Sequence, residues 1–244
     1  MIPELDLALL VALAALVAST LAGITGFGGA AVLLPVLTLA LGVREAVPVL
    51  TVAQLIGNGS RAWFNRREID RRVVAWFALG AIPCALLGGL LFARAPVSAL
   101  NRLLGVFLLL VVAWRRLRPG LQVTVPAGAF VLVGSGGSFL SALVGSVGPL
   151  MAPFFLAHGL VKGAYIGTEA LATVVMHLVK LVAYRSSDVL PVESVLVGAA
   201  IGPVMVLGSW IAKRVVDRLP AAVFVHLIEV VMVVSGVLFL VRQR

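Results

Sequence analysis

Apolar runs long enough to cross a bilayer follow one another along most of the chain, and short gaps between them hold most of the charged side chains. A crossing helix needs about 20 predominantly apolar residues. The runs from about Leu5 to Ala22, Ala46 to Phe64, Val73 to Phe92, Val97 to Trp114, Val125 to Leu143, Ala164 to Tyr184, Val192 to Ala212 and Ala221 to Val241 approach or meet that length. The pattern predicts an all-α integral membrane protein of about eight transmembrane helices. Two further apolar runs, Ala30 to Leu41 and the stretch ending at Ala157, are too short to cross comfortably. Each reads as a half helix or re-entrant segment.

Both short runs follow a glycine break. The first reads Gly23-Ile24-Thr25-Gly26-Phe27-Gly28-Gly29 and continues to Pro35; the second runs from Gly145 through Gly148 and Pro149 to Pro153. In lipid, non-helical backbone survives only where it is buried in protein or lines a cavity, so two such breaks point to a binding site between them. After the first break Gly42 and Thr51 stand nine residues apart, and after the second Gly159 and Thr168 stand at the same spacing. These features predict two pseudo-symmetric repeats, residues 1–120 and 121–244, within one membrane domain. If the half helices are re-entrant, the repeats are parallel with cytoplasmic termini; if they cross, the repeats are inverted with external termini. The shortness of the runs favours the first scheme. The loop Asn65 to Arg72, with four arginines, is cytoplasmic in both.

Polar residues interrupt two spans at helical spacing. Thr51, Gln54, Asn58, Arg61 and Asn65 share one face of the second span, and Glu169, Thr173, His177, Lys180 and Tyr184 share one face of the sixth. Hydrogen bonding between helices is the plain alternative for Thr51, Gln54, Thr168 and Thr173. Glu169 and His177 are ionisable groups deep in a span, which makes a functional role the default. Arg61 and Lys180 lie nearer the ends, where snorkelling to the interface is the favoured reading. His226 and Glu229 in the last span, and Asn101 and Arg102 in the fourth, are further candidates for pairing within the bundle.

Composition narrows the class. With 61% hydrophobic and 12% charged residues, the chain departs from soluble domains, in which about a quarter of residues are charged. The formal charge of +9 is spread through the gaps between spans, so it reads as a topology signal, and nucleic acid is not an expected partner. Glu4 and Asp6 precede the first run where a secretory signal would carry positive charge, so that run is taken as a retained span. Cys84 is the sole cysteine, which excludes an intrachain disulfide or a cysteine metal cluster. No nucleotide-binding loop occurs, no cofactor is implied, and a metal site from His177, His226 and a glutamate has no supporting spacing. Small-residue faces such as Gly88-Gly89 serve a bundle or a homo-oligomer alike.

What the breaks offer is backbone. A helix that starts at Gly28 or Gly148 presents unpaired N–H groups and the positive end of its dipole, a ready anion site. Pro35 and Pro153 should kink or end the short helices. The candidate substrate-binding residues are therefore Thr25, Gly26, Gly28, Gly29, Thr51, Gln54, Asn58, Gly145, Gly148 and Thr168, with Glu169 and His177 as candidates for proton coupling.

The sequence Gly26-Phe27-Gly28-Gly29-Ala30 through Pro35, paired with Gly145 through Pro153 and Gly167-Thr168, resembles the signatures of the sulfite exporter TauE/SafE family of membrane permeases. The similarity covers nearly the whole chain. It implies a secondary transporter of the inner membrane that moves small sulfur-containing anions such as sulfite or organosulfonates. Ala30 and Glu169 depart from the family pattern, and an acidic residue beside an anion path would supply proton coupling. The alternatives are a passive anion channel and, less favoured, a membrane-embedded enzyme or assembly factor.

Overall fold

The computed structural model describes residues 4–94, 124–145, 147–224 and 226–227. Those residues form helices and short connections, with no strand among them. The helices are α1 (Glu4–Thr25), α2 (Gly29–Leu41), α3 (Val43–Phe64), α4 (Arg71–Arg94), α5 (Phe130–Val144), α6 (Gly148–Ala157), α7 (Lys162–Ser186) and α8 (Val192–Arg218). Four of them, α1, α4, α7 and α8, are long and apolar enough to cross a membrane. The expected span 97–114 and nearly all of the span 221–241 lie outside the described residues.

The glycines end and restart the helices as backbone geometry requires. Gly26 and Gly28 have φ of 82° and 90°, Gly42 has 77° and Gly145 has 84°, a region that an L side chain enters only at a cost. Pro35 and Pro153 do not end their helices: α2 continues to Leu41 and α6 to Ala157. Proline is tolerated inside such helices because the neighbouring chain re-satisfies the carbonyl it frees.

Small residues let the helices close on one another. The short α2 runs back between α1 and α3, burying Ala30, Leu33 and Leu37 against Ala14, Ala15 and Ala18 on one side and Val49, Leu50 and Ala53 on the other. On α4, Gly80 rests on the Val131 carbonyl, and a β-carbon at Gly88 would stand 2.6 Å from the Phe139 oxygen, both on α5. On α8, Gly208 rests on Ser19 and Leu16 of α1. Gly198 and Gly202 lie against Val52 and Ile56 of α3, while Gly89 lies against Ala183 of α7. Gly88 and Gly89 are thus both used inside the chain.

α3 and α7 meet at the centre with opposite directions. Arg61 approaches Glu169, Asn65 lies on Gly167, and beyond the helix end the Asp70 N–H donates to Thr168 Oγ1 at 2.9 Å. Outward-facing positions carry Leu9, Leu13, Leu79, Leu87, Leu178 and Leu196, all exposed. An apolar exterior around a polar centre is the arrangement of a membrane protein.

Candidate functional site

The two glycine breaks meet. A β-carbon at Gly148 would stand 2.6 Å from Phe27 Cβ, so the second break lies directly against the first. Tyr165 seals the contact: Gly26 faces its ring, and its hydroxyl donates to the Thr25 carbonyl at 3.0 Å. Around this junction lies a cavity lined by both breaks and by side chains of α3 and α7. Its interior leaves about 40 Å³ to the centres of water-sized molecules, space for a few waters or one small oxyanion. The N-termini of α2 at Gly29 and of α6 at Gly148 both open on it. Their first N–H groups have no carbonyl one turn back to bond.

From α3, Gln54, Asn58 and Arg61 line the cavity. Arg61 is 5% exposed. Its Nη1 donates to the carbonyls of Ala22 at 2.7 Å and Gly26 at 3.0 Å, and its Nη2 donates to Asn58 Oδ1. The guanidinium therefore gives Ala22 O a second donor beside the Gly26 N–H and bonds Gly26 O just beyond the C-terminus of α1, where the dipole is negative. From α7, Glu169, Thr173 and His177 face the same space. Glu169 Oε1 accepts from the Thr173 hydroxyl at 2.9 Å, and Oε2 lies 3.6 Å from Arg61 Nη1 with no hydrogen bond. His177 Nδ1 is buried without a partner as well. Buried polar atoms facing a cavity without partners mark where a ligand or ordered water belongs.

Lys180, fully buried, repeats what Arg61 does. Its ammonium donates to the Ser141 carbonyl at 3.0 Å and to Ser141 Oγ at 3.3 Å, at the C-terminus of α5. The repetition has a strict register: Ala22 and Ser141, Gly26 and Gly145, Gly29 and Gly148, Gln54 and Thr173, Asn58 and His177, and Arg61 and Lys180 are each 119 positions apart. Gly26 N–H bonds to Ala22 O at 2.8 Å and Gly145 N–H bonds to Ser141 O at 2.9 Å, so the two break points share their local bonding too.

The expected pairing of Thr51 with Thr168 spans 117 positions and does not correspond to like places. Thr51 donates to Val47 O of its own helix at 2.8 Å, and Thr168 is engaged by the Asp70 N–H at the end of the bundle. The Thr25 hydroxyl bonds within the break, to Leu21 O and Phe27 O. None of the three threonines lines the cavity, whereas Gly26, Gly28, Gly29, Gln54, Asn58, Gly145, Gly148, Glu169 and His177 all do. Arg61 and Lys180 do not snorkel: backbone carbonyls of α1 and α5 capture them in the interior. Phe27 and Ser141 also line the cavity and were not singled out by the periodicity. Ser141 stands four residues before Gly145 as Ala22 stands four before Gly26, a signal visible only once the breaks are aligned. His226 is exposed and is not part of the lining.

Among the described residues, the cavity lining carries at ordinary ionisation one positive charge, Arg61, and one negative charge, Glu169, with Lys180 behind Ser141. The two cancel, and the two helix N-termini leave the balance positive. The arrangement suits a small anion held by backbone N–H groups, amides and a guanidinium. A family model described as sulfite exporter TauE/SafE matches residues 11–239. No curated protein and no solved structure matches the chain.

Proposed function

Since the chain belongs to the sulfite exporter TauE/SafE family and is thus a membrane transporter, we propose that it is an alternating-access permease of small sulfur oxyanions, such as sulfite or organosulfonates, in the inner membrane. The observation that carries this reading is the meeting of two broken-helix N-termini, each a positive dipole end, in one small cavity beside Arg61. Gly29 and Gly148 offer N–H groups, Gln54 and Asn58 offer amide donors, and Arg61 supplies the fixed charge. Lys180 and Arg61 hold the C-terminal ends of α5 and α1 in place. Glu169 and His177, ionisable and each with one unpartnered polar atom, are the groups through which a proton would couple to the anion.

The reading extends to topology. The two halves form an inverted repeat of about eight spans, supported by the shared 119-residue register and by the antiparallel passage of α3 and α7, the equivalent helices. Lys213 bonds Glu68 at 3.2 Å and the Lys162 ammonium donates to Asp217 O at 3.4 Å, which gathers the arginine-rich loop, the start of α7 and the end of α8 at one end. Among the described residues that end carries Arg66, Arg67, Arg71, Arg72, Lys162, Lys213, Arg214 and Arg218; the opposite end carries Arg44, Arg94 and Arg185. The positive-inside bias then makes the first end cytoplasmic and the N-terminus external. Single cysteines in a Cys84→Ser background test this: in right-side-out vesicles an impermeant maleimide should label Asp188→Cys and spare Arg67→Cys. The reverse pattern contradicts the assignment.

Flux into proteoliposomes tests the activity. Sulfite or a small sulfonate should enter saturably, show counterflow and respond to a pH gradient. Conductance without saturation or counterflow would make the protein a channel instead. Transport indifferent both to the gradient and to Glu169→Gln would remove the proton from the scheme.

A further inference from the structure

The 119-residue register isolates one group that the duplicated frame does not explain. Arg61, Asn58 and Gln54 have polar counterparts in Lys180, His177 and Thr173, but the counterpart of Glu169 is Leu50. Leu50 is buried among Leu33, Leu37 and Ala53 in an apolar cluster. The architecture is therefore built at that position by an apolar side chain in one half, and the carboxylate in the other half is an addition to it.

Where the carboxylate lies matters. Glu169 lines the cavity, its Oε1 is taken by Thr173, and its Oε2 rests 3.6 Å from Arg61 Nη1 without a hydrogen bond among the described residues. The pair is held by charge alone, although a guanidinium and a carboxylate readily form two parallel hydrogen bonds. Of the five N–H donors of an arginine, Arg61 spends two on Ala22 O and Gly26 O and one on Asn58. Two donors remain, the Nε–H and the second Nη2–H, on a side chain that lines the cavity. An oxyanion could bond them as Glu169 does not, while also reaching the N–H groups of Gly29 and Gly148. Two negative charges beside one buried guanidinium disfavour each other strongly.

We infer that Glu169 is a built-in competitor for the transported anion: it holds the charge field of Arg61 that an arriving oxyanion must take over. The inference rests on reading the cavity as the anion site. It explains why a site made of a guanidinium and two helix N-termini need not trap its cargo, since the carboxylate stays tethered close by to reclaim Arg61 and return the anion to solution. It also gives binding a mechanical consequence. Arg61 is bonded to the end of α1 in the first half and Glu169 sits on α7 in the second, so displacement of the carboxylate releases the charge contact that joins the halves across the cavity.

The test is equilibrium binding of sulfite and of methanesulfonate to the detergent-solubilised protein, paired with flux in proteoliposomes. Glu169→Gln should bind at least one of these anions about tenfold more tightly, equivalent to about 1.4 kcal/mol, yet turn over more slowly because release has lost its competitor. Glu169→Asp, with a shorter reach toward Arg61, should lie between the two and serves if the glutamine variant does not fold. A merely structural carboxylate would not tighten binding when removed. Equal or weaker binding by both variants, with the wild type binding normally, overturns the competitor while leaving the anion site standing. Failure of the wild type and both variants to bind either anion overturns the anion site itself, and the competitor with it.

Discussion

Arg61→Met should abolish anion binding and transport and lower the stability of the protein, the largest effect expected of any single substitution here. Three contacts go together: the bonds to the carbonyls of Ala22 and Gly26, of which Ala22 O keeps the Gly26 N–H; the bond to the amide oxygen of Asn58; and the charge facing Glu169. Breaking a buried ion pair from one side typically costs about 3–5 kcal/mol because the other charge is left uncompensated. The two contributions can be separated. Arg61→Met combined with Glu169→Gln should recover much of the thermal stability, since the charge that faced Arg61 is removed with it, but none of the transport. Arg61→Lys should fold and retain weak activity, because Lys180 caps the equivalent carbonyl of Ser141 with an ammonium. Thermal unfolding and proteoliposome flux of these three variants check the prediction. Normal transport by Arg61→Met would remove Arg61 from the site.

Gly148→Val should abolish transport while leaving membrane insertion intact. Its β-carbon would stand 2.6 Å from Phe27 Cβ, and the two branches beyond it would fill the space in which the N-terminus of α6 opens. Overpacking of this kind costs about 1–3 kcal/mol, which a membrane bundle can survive, whereas a cavity of this size cannot accommodate both the valine and an anion. Gly59→Ala is the matched control: it lies within α3, and no heavy atom stands within 4 Å of the added carbon. It should be close to neutral, because alanine is the better helix former. Yield in membranes and initial flux distinguish the two, and wild-type flux from Gly148→Val would make the breaks packing features only.

Much of this could be read from hydropathy and spacing. The apolar runs mark α1, α3, α4, α5, α7 and α8 within a few residues, and the glycines mark both breaks because positive φ leaves few other residue types. Helical spacing also put Gln54, Asn58 and Arg61 on one face and Glu169, Thr173 and His177 on another. Spacing reports which face a residue occupies and says little of its depth. Arg61 and Lys180 looked like interface residues because the carbonyls that draw them inward belong to α1 and α5, 35 and 39 residues away in the nearest bonds. The threonine pairing misled for a related reason. Two glycines and two threonines at equal spacing matched at 117 positions, while the bonded pairs match at 119. The proposed sidedness rests on contacts distant in sequence, those that bring Lys162 and Lys213 to the end that holds the arginine-rich loop.

The central claim is that one small anion sits between the N-termini of α2 and α6, next to Arg61. Selenite, the heavier congener of sulfite, allows the claim to be tested directly by anomalous diffraction from crystals soaked at saturating concentration. One dominant selenium peak is expected, with its oxygens about 3 Å from the N–H groups at Gly29 and Gly148 and from the Arg61 guanidinium. A dominant peak elsewhere, for example among the arginines of the loop at 65–72, or an unoccupied cavity at saturation, would rule this site out.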